Sequence, residues 1–244
     1  MKPKANACLI LDFDGTCTSK STKPLPVVVG EGSSSLAIRA ENARLLRHYA
    51  AKDERGQTGL QREGGWMLDL AECFRQHGLL KTEAQAALTD IKLRPQFGDC
   101  LEAMASRGVP VAIVSGSARN FIWWVLEQNR LDHLVDEVYA FCLLFREGRV
   151  VDSVPETLVT PSNKGRWSQS FAARHGVSED NIFGVGDSLV DRTIGGSQEH
   201  RLGVAESEAQ AELIRPAMGH VVRVDQGFGP VTDWLTGQLD QLSE

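Results

Sequence analysis

Short apolar segments that end in polar residues recur along this chain. Residues 7–11 read Ala-Cys-Leu-Ile-Leu and lead directly into Asp12, and residues 109–114 and 181–185 have the same character. An uninterrupted apolar strand is what a parallel sheet buried on both faces requires. We therefore predict three core strands at these places. Further strands are predicted at 135–145, 202–205 and 220–224.

The segments between these strands have a helical pattern. Helices are predicted around 99–107 and 118–129, and another is expected to begin with Ser162 as its N-cap. Strands that alternate with helices favour an α/β fold, with a parallel sheet that carries helices on both faces. In such sheets, ligands bind beyond the carboxyl ends of the strands. Several polar clusters of this chain fall at such ends.

One long stretch, from about 36 to 95, is predicted to be helical throughout. Apolar residues fall at helical spacing over 36–50 and again over 66–74,. Residues 19–35 are rich in Ser, Thr, Pro and Gly and are interpreted as a linker. The pattern therefore indicates a helical insert between the first and second strands of an α/β core.

Composition and charge exclude several classes of protein. The 244 residues are 42% hydrophobic and 24% charged, which argues against a disordered, fibrous or coiled-coil chain,. A net charge of −6 argues against a nucleic-acid polymer or an anionic membrane as partner, but a metal could still offset the charge of a small phosphorylated substrate,. No apolar run approaches the roughly 20 residues needed to cross a bilayer. The five cysteines include no CxxC pair, which favours a cytoplasmic protein over a disulfide scaffold,.

Two acids at the end of the first strand are the first candidates for chemistry. Asp12 and Asp14 are two residues apart, so on an extended chain their side chains point to the same face,. One carboxylate could attack a substrate while the other moves protons. Gly15 and Thr16 could then bend the backbone around a small anion. The alternative is a solvated turn that happens to hold two acids.

Two candidates for anion binding follow later in the chain. Ser115 and Gly116 come directly after the second strand, where a hydroxyl and the N–H groups of a helix N-terminus could hold an anion,. Lys164 is expected early in a helix, from which it could reach over a strand end and neutralise charge. An N-cap serine and a surface lysine are the ordinary alternatives.

A second acidic pair follows the third core strand. Asp187 and Asp191 are four residues apart and share a face if a helix starts at once,. Together with Asp12 they would form a set of hard oxygen ligands suited to Mg²⁺. The alternative is an acidic helix start that interacts with the helix dipole.

The ordered set of DxDGT, Ser-Gly, Lys and GDxxxD resembles the four motifs of the haloacid dehalogenase-like (HAD) phosphatase superfamily. Within it, the stretch 66–116 is most similar to the phosphoserine phosphatase and pyrimidine 5′-nucleotidase group. The resemblance implies a Rossmann-like three-layer core formed by residues 1–20 and 96–244. It also implies a helical cap at 21–95, inserted between the first two motifs.

The resemblance also implies roles for individual residues. Asp12 would be the nucleophile that forms an aspartyl-phosphate, and Asp14 the general acid and then base. Lys164 would stabilise charge, and Asp191 would orient that lysine or a metal-bound water. Asp187 would bind Mg²⁺ together with the Asp12 carboxylate and the Asp14 main-chain carbonyl. Phosphoryl oxygens would be held by Thr16, Ser115, Gly116 and Lys164.

Specificity is expected to come from the cap. The candidates for contacts with the substrate are Arg55, Arg62, Glu63 and Trp66. An arginine could take an anionic group and the tryptophan could stack on a base or sugar. A solvated face for the charges and cap core for the tryptophan are the alternatives.

The sequence thus predicts a Mg²⁺-dependent phosphomonoester hydrolase that acts on a small metabolite. The substrate could be a nucleotide, a phosphoserine-like acid or an intermediate of a specialised pathway. A phosphotransferase with the same intermediate, or a non-catalytic protein with the same fold, is the alternative. The sequence leaves open whether the chain is a monomer or a homodimer.

Overall fold

A seven-stranded sheet lies at the centre of the protein. The computed structural model describes residues 6–54 and 65–242, with the backbone alone for 50–54. The strands are Cys8–Leu11 (β1), Val111–Ala118 (β2), Glu137–Arg146 (β3), Arg149–Val154 (β4), Ile182–Gly186 (β5), Arg201–Ala205 (β6) and His220–Arg223 (β7). Their order across the sheet is β4-β3-β2-β1-β5-β6-β7. All neighbours are parallel except β3 and β4, which form an antiparallel hairpin.

Helices cover both faces of this sheet. In the described ranges they are Leu25–Gly32 (α1), Leu36–Glu54 (α2), Gly65–Gln76 (α3), Lys81–Ala87 (α4), Phe97–Ser106 (α5), Arg119–Gln128 (α6), Lys164–His175 (α7), Glu208–Ile214 (α8) and Gly229–Gln241 (α9). Helix α7 contacts β1, β2 and β5, whereas α6 contacts β2 and β3. None of these helices is both long enough and apolar enough to pass through a lipid bilayer.

The side chains of β1 alternate between two buried clusters. Leu9 and Leu11 belong to the larger cluster, and Cys8 and Ile10 belong to the cluster that includes Phe171 of α7. All four β1 residues are fully buried. Period-two alternation on a strand buried on both faces is the arrangement that its apolar sequence requires. The predicted α/β fold with a Rossmann-like parallel sheet is therefore confirmed.

The register of the sheet determines where the polar clusters meet. Leu11 is paired with Ile113 of β2 on one side and with Val185 of β5 on the other. Three parallel strands therefore reach the same edge of the sheet within a few residues of one another. Asp12 follows Leu11 at that edge, and the polar residues that follow Ile113 and Val185 lie beside it.

The predicted elements at 36–50, 66–74, 99–107 and 118–129 are helical, and the six predicted strands are present. The predicted linker at 19–35 is wrong in part, because α1 occupies Leu25–Gly32. Its Pro26 lies in the first turn, where the missing N–H costs no hydrogen bond,. Val27 and Val29 are buried, and α1 packs against α2 and α4. Packing thus outweighs the low helix propensity of this segment.

The start of α7 also differs from the prediction. Its N-cap is Asn163, and Ser162 forms a hydrogen bond with the Thr160 hydroxyl (2.9 Å) and makes no capping bond. The Asn163 side chain accepts from the Thr160 N–H at 2.8 Å, which closes a tight turn ahead of the helix. Lys164 is consequently the first residue of α7.

Candidate active site

A cavity of about 450 Å³ opens at the carboxyl edge of the sheet. Its lining includes predicted site residues from all four motifs, namely Asp12, Asp14, Ser115, Gly116, Lys164 and Asp187. Its walls are formed by Pro24, Trp66, Ser117, Val159, Thr160, Pro161, Ser188 and Val190. The fold therefore brings together residues that lie up to 175 positions apart in the chain. Thr16 and Asp191 lie behind this surface, where both are fully buried.

Lys164 connects two buried carboxylates at the floor of the cavity. Its Nζ lies 2.7 Å from Asp12 Oδ1 and 2.6 Å from Asp191 Oδ1. The side chain of Lys164 is 5% exposed, so its charge is compensated by these carboxylates and hardly at all by solvent. Burial alone would lower the pKa of Lys164, but the two carboxylates raise it above its usual value,. The lysine is therefore charged at neutral pH.

Asp191 is held by hydrogen bonds on both of its oxygens. While Oδ1 accepts from Lys164, Oδ2 accepts from the Ser188 hydroxyl at 2.8 Å and from the N–H groups of Ser188 and Asp187 at 3.1 and 3.2 Å. This is a capping box on the single 3₁₀ turn Leu189–Asp191. The expected helix after Gly186 is therefore wrong: Asp187 and Asp191 meet through this turn.

The loop after β1 turns sharply directly behind Asp12. The Phe13 carbonyl accepts from the N–H groups of Thr16, Cys17 and Thr18 at 3.3, 2.9 and 3.2 Å. Asp14 is part of this turn, so the predicted extended geometry for the acid pair is wrong. Its carboxylate nevertheless lines the cavity, and its Oδ1 accepts from the Leu25 N–H at 3.3 Å.

Gly15 allows this loop to approach the second acidic pair. Its φ of +87° lies in the left-handed region that disfavours side chains,. A Cβ at this position would lie 2.6 Å from Asp187 Oδ2. Any other residue here would push the loop away from Asp187.

The acids of the site differ in their electrostatic environment. Burial raises the pKa of Asp14 to about 6, although the Ser117 hydroxyl and the Leu25 N–H oppose this rise,. Burial also raises the pKa of Asp12, against the attraction of Lys164. The pKa of Asp187 is raised by burial and by the nearby Asp191, while Lys20 lowers it. A divalent cation would stabilise the ionised form of this cluster.

The acidic cluster fits a hard divalent cation. Asp12, Asp187 and Asp191 each offer a carboxylate oxygen, and these oxygens lie within 4.8 Å of one another. Asp191 is fully buried and accepts four hydrogen bonds, whereas Asp12 and Asp187 line the cavity, so these two are the acids best placed to hold a metal there. A small number of carboxylates in an open cavity, with room for waters, is the donor set that Mg²⁺ prefers.

Three other predicted residues lie differently from the expectation. Ser115 and Gly116 belong to β2, which continues to Ala118, so they are not at the N-terminus of α6. The pairing of β2 with β3 is irregular between Val114 and Ala118, which frees this segment to line the cavity. Thr16 Oγ1 donates to Asp12 Oδ2 at 3.3 Å and does not line the cavity.

The candidates for substrate contact are only partly described. Arg55, Arg62 and Glu63 lie outside the described residues. Trp66 lines the cavity and is also packed against the main hydrophobic cluster, and its contact with a substrate stays a prediction. The division into a core at 1–20 and 96–244 and a cap at 21–95 stays a prediction.

Several polar residues around the site were missed by the sequence analysis. Lys20 Nζ lies 2.9 Å from Asp187 Oδ2, and Gln210 Nε2 donates to the Asp187 main-chain carbonyl at 3.1 Å. The buried Arg94 forms an ion pair with the half-buried Glu206 beneath the loop that carries Asp14. Lys20 and Gln210 stand outside any motif, and an arginine before a proline carries no signal of burial.

A family model described as haloacid dehalogenase-like hydrolase matches residues 9–195. The chain belongs to this family. The predicted resemblance to HAD-type proteins is thereby confirmed, and the matched residues include all four motifs.

One curated relative of this HAD-family chain is a phosphoserine phosphatase from Archaeoglobus fulgidus. The two are 30% identical over 104 residues, which is 42% of this chain and 28% of the relative. The matched segment thus spans well under half of that relative's length.

Solved structures extend the likeness to nearly the whole chain. Cytosolic 5′-nucleotidase IIIB bound to cytidine has a TM-score of 0.72 at 18% identity, over 93% of this chain and 84% of that one. A phosphoserine phosphatase solved as a phospho-aspartyl intermediate analogue has a TM-score of 0.63 at 16% identity, over 90% and 94%. At these identities the likeness establishes a shared fold.

Proposed function

We propose that this HAD-family chain is a Mg²⁺-dependent phosphomonoester hydrolase that acts on a small phosphorylated metabolite through an aspartyl-phosphate on Asp12. The observation that supports this most strongly is the Asp12–Lys164–Asp191 chain at the cavity floor. It presents one buried carboxylate to the cavity and keeps a lysine charge beside it. Family membership supports hydrolase chemistry.

In the first step, Asp12 attacks the phosphorus of the substrate. Lys164 Nζ and the Thr16 hydroxyl each contact one oxygen of its carboxylate, at 2.7 and 3.3 Å. These contacts fix the direction of attack, which is where much of the catalysis of phosphoryl transfer arises. The new bond joins an Asp12 oxygen to phosphorus, and the bond to the leaving alcohol oxygen breaks.

Asp14 handles the protons. A pKa of about 6 keeps a useful fraction of this carboxyl protonated near neutral pH,. It donates that proton to the departing oxygen and then takes a proton from the water that attacks the aspartyl-phosphate. Asp12 is regenerated and inorganic phosphate leaves.

Ser115, Gly116 and Lys164 line the cavity beside Asp12 and hold the phosphoryl oxygens. Mg²⁺ would be held by Asp12, Asp187 and the main-chain carbonyl of Asp14, and when bound it neutralises the charge of the phosphoryl group. Asp191 keeps Lys164 in place from behind. Thr16 is better suited to orient Asp12 than to bind phosphate, because its hydroxyl faces that carboxylate.

The class of substrate is a small metabolite. The cavity volume of about 450 Å³ suits such a ligand,. The named relatives suggest two candidates, a phosphorylated amino acid and a nucleoside monophosphate. All five cysteines are free, which supports a cytoplasmic location for the enzyme,.

A screen of phosphate release tests the proposal. Wild type is assayed on pyrimidine and purine monophosphates, phosphoserine, sugar phosphates and phosphocholine, with Mg²⁺ and with EDTA. We expect turnover that requires Mg²⁺ and that is lost in Asp12→Asn and in Asp14→Asn. Added acceptor alcohols reveal a phosphotransferase if phosphate moves to them in preference to water.

Two results would contradict the proposal. One is full activity of Asp12→Asn. The other is the absence of turnover on every compound in the presence of Mg²⁺, which would favour a non-catalytic role for the fold.

A further inference from the structure

The segment Phe13–Lys20, here called the catalytic loop, carries Asp14, Gly15 and Thr16. Within the loop, the Phe13 carbonyl accepts from the three N–H groups described above, and the Gly15 N–H donates to the Thr18 hydroxyl at 3.0 Å. The Cys17 thiol donates to the Asp12 carbonyl at 3.0 Å. Hydrogen bonds of a single turn do not by themselves fix a loop against a sheet edge. Its position therefore also depends on the contacts that the loop makes with more distant parts of the chain.

Arg94 holds the catalytic loop from below. Its side chain is 5% exposed, its Nη2 donates to the Gly15 carbonyl at 2.8 Å and its Nε donates to the Thr16 carbonyl at 2.9 Å. Its Nη1 donates to the Val224 carbonyl at 3.2 Å, next to the end of β7. The Arg94 main-chain N–H also donates to the Cys17 carbonyl at 2.8 Å. One side chain thus joins two consecutive peptides of the loop to the sheet.

Glu206 completes this arrangement from the end of β6. Its Oε1 accepts from Arg94 Nη2, from the Lys20 N–H and from the Ser19 hydroxyl, each at 2.8 Å. Burial opposes ionisation of Glu206, yet these three donors bring its pKa below the usual value. The ion pair therefore contacts the catalytic loop at both ends, from Gly15 to Lys20.

The peptides held by Arg94 carry groups of the site. The Thr16 hydroxyl contacts Asp12 Oδ2, and Gly15 lies against the Asp187 carboxylate. Lys20, at the other end, contacts that same carboxylate. A shift of the loop would therefore change the surroundings of Asp12 and Asp187 together.

We propose that Arg94 and Glu206 are positioning residues for phosphoryl transfer, which hold the catalytic loop in its reactive geometry without touching the substrate. The proposal rests on the hydrolase function proposed above. An ion pair between a buried arginine and a half-buried glutamate contributes little net stability against an apolar replacement, so stability alone does not explain it,. The guanidinium fork matches two carbonyls that lie side by side, which a lysine ammonium cannot do.

The test compares Arg94→Met, Arg94→Lys and Glu206→Gln with two controls. Arg107→Met removes an arginine from an exposed ion pair with Asp240, and Leu235→Ala removes buried apolar contacts in α9. Each variant is measured for kcat, KM, melting temperature and amide hydrogen exchange over Phe13–Lys20. The substrate is the best one from the screen.

For Arg94→Met, we expect kcat to fall by about 10²-fold, the scale of a misplaced reacting group, with a much smaller change in KM. Amide exchange should become faster in the catalytic loop. Arg94→Lys and Glu206→Gln should show smaller losses of the same kind, which keeps the proposal testable if Arg94→Met does not fold. The double variant Arg94→Lys with Glu206→Gln should lose less than the product of the single losses, because the two residues act as a unit.

The proposal is overturned if the Arg94 variants keep kcat and loop exchange within twofold of wild type. It is also overturned if kcat falls only as far as in Leu235→Ala at an equal loss of melting temperature. If wild type hydrolyses no compound in the screen, the proposed hydrolase function is contradicted. Amide hydrogen exchange over Phe13–Lys20 then tests on its own whether Arg94 and Glu206 hold the catalytic loop. Faster exchange confined to the catalytic loop supports the role, and unchanged exchange contradicts it.

Discussion

The floor and the wall of the cavity are built in different ways. At the floor, Asp12, Lys164 and Asp191 are joined by charged hydrogen bonds of 2.6 to 2.7 Å. At the wall, Pro24, Trp66 and Val190 present apolar surface that is shaped by packing. Directional bonds fix atoms to within a fraction of an ångström, whereas apolar contacts mainly fix shape and size. The floor is therefore suited to one reaction and the wall to a choice of substrate.

We therefore expect substitutions in the polar site to act on kcat and substitutions in the apolar wall to act on KM. The largest effect is expected for Asp14→Asn, which removes the proton donor. The loss of kcat/KM should be about 10²- to 10⁴-fold for an alkyl phosphate. It should be much smaller for 4-nitrophenyl phosphate, whose phenolate leaves without a proton. Steady-state assays on both substrates measure the contrast, and equal losses on both would contradict the role of Asp14.

The same residue gives the floor a pH signature. Only protonated Asp14 can act as the acid, and its pKa is raised to about 6. The kcat/KM of wild type on an alkyl phosphate should therefore decrease as the pH rises through this value, because the acid form is lost. Asp14→Asn should not show this decrease. A wild-type profile that rises through the same range would assign the titrating group elsewhere.

An intermediate effect is expected for Lys164→Met. Removal of the lysine leaves Asp12 and Asp191 without their shared cation and should lower kcat by about 10²- to 10³-fold, as for other groups that stabilise charge in the transition state. The matched control is Arg166→Met, an exposed cation two residues further along α7. This control should keep wild-type kinetics. Equal effects of the two substitutions would indicate a general charge effect in place of a specific contact.

The smallest effect is expected at the wall, for Trp66→Ala. Loss of its apolar contact should raise KM by up to roughly tenfold, which corresponds to about 1.4 kcal/mol, with little change in kcat. The control is Trp123→Ala, since Trp123 also packs against the main cluster but does not line the cavity. A large fall in kcat for Trp66→Ala alone would show that wall and floor are not separable.

The sheet and most helices could be predicted because their signals are local. A short continuous apolar run that ends in turn residues, such as 7–11, favours a buried strand, and a 3.6-residue period indicates a helix. The linker predicted over 19–35 is wrong in part because the helix there has no local signal in the sequence. Helix α1 contains proline, glycine and valine, and it is stabilised by contacts with the neighbouring α2 and with α4, which lies much further along the chain.

The polar residues of the site could be predicted from the sequence, but the contacts that hold them in place could not. The spacing of Asp187 and Asp191 marks an acidic pair, yet only the backbone shows that a 3₁₀ turn joins them. Arg94 and Glu206 are separated by 112 positions, and no spacing pattern in the sequence connects them. Such contacts arise from the three-dimensional arrangement of the strands. Neither the amino-acid composition nor the spacing of apolar residues predicts them.

The proposed mechanism requires that Asp12 receives the phosphoryl group. Wild type is mixed with its best substrate and Mg²⁺, quenched in acid within milliseconds and digested, and the peptide that contains residues 6–20 is examined by mass spectrometry. We expect this peptide to gain the mass of one phosphoryl group, located on Asp12, and the Asp12→Asn peptide to gain none. Phosphate release with no labelled peptide, or a label on another residue, would contradict it.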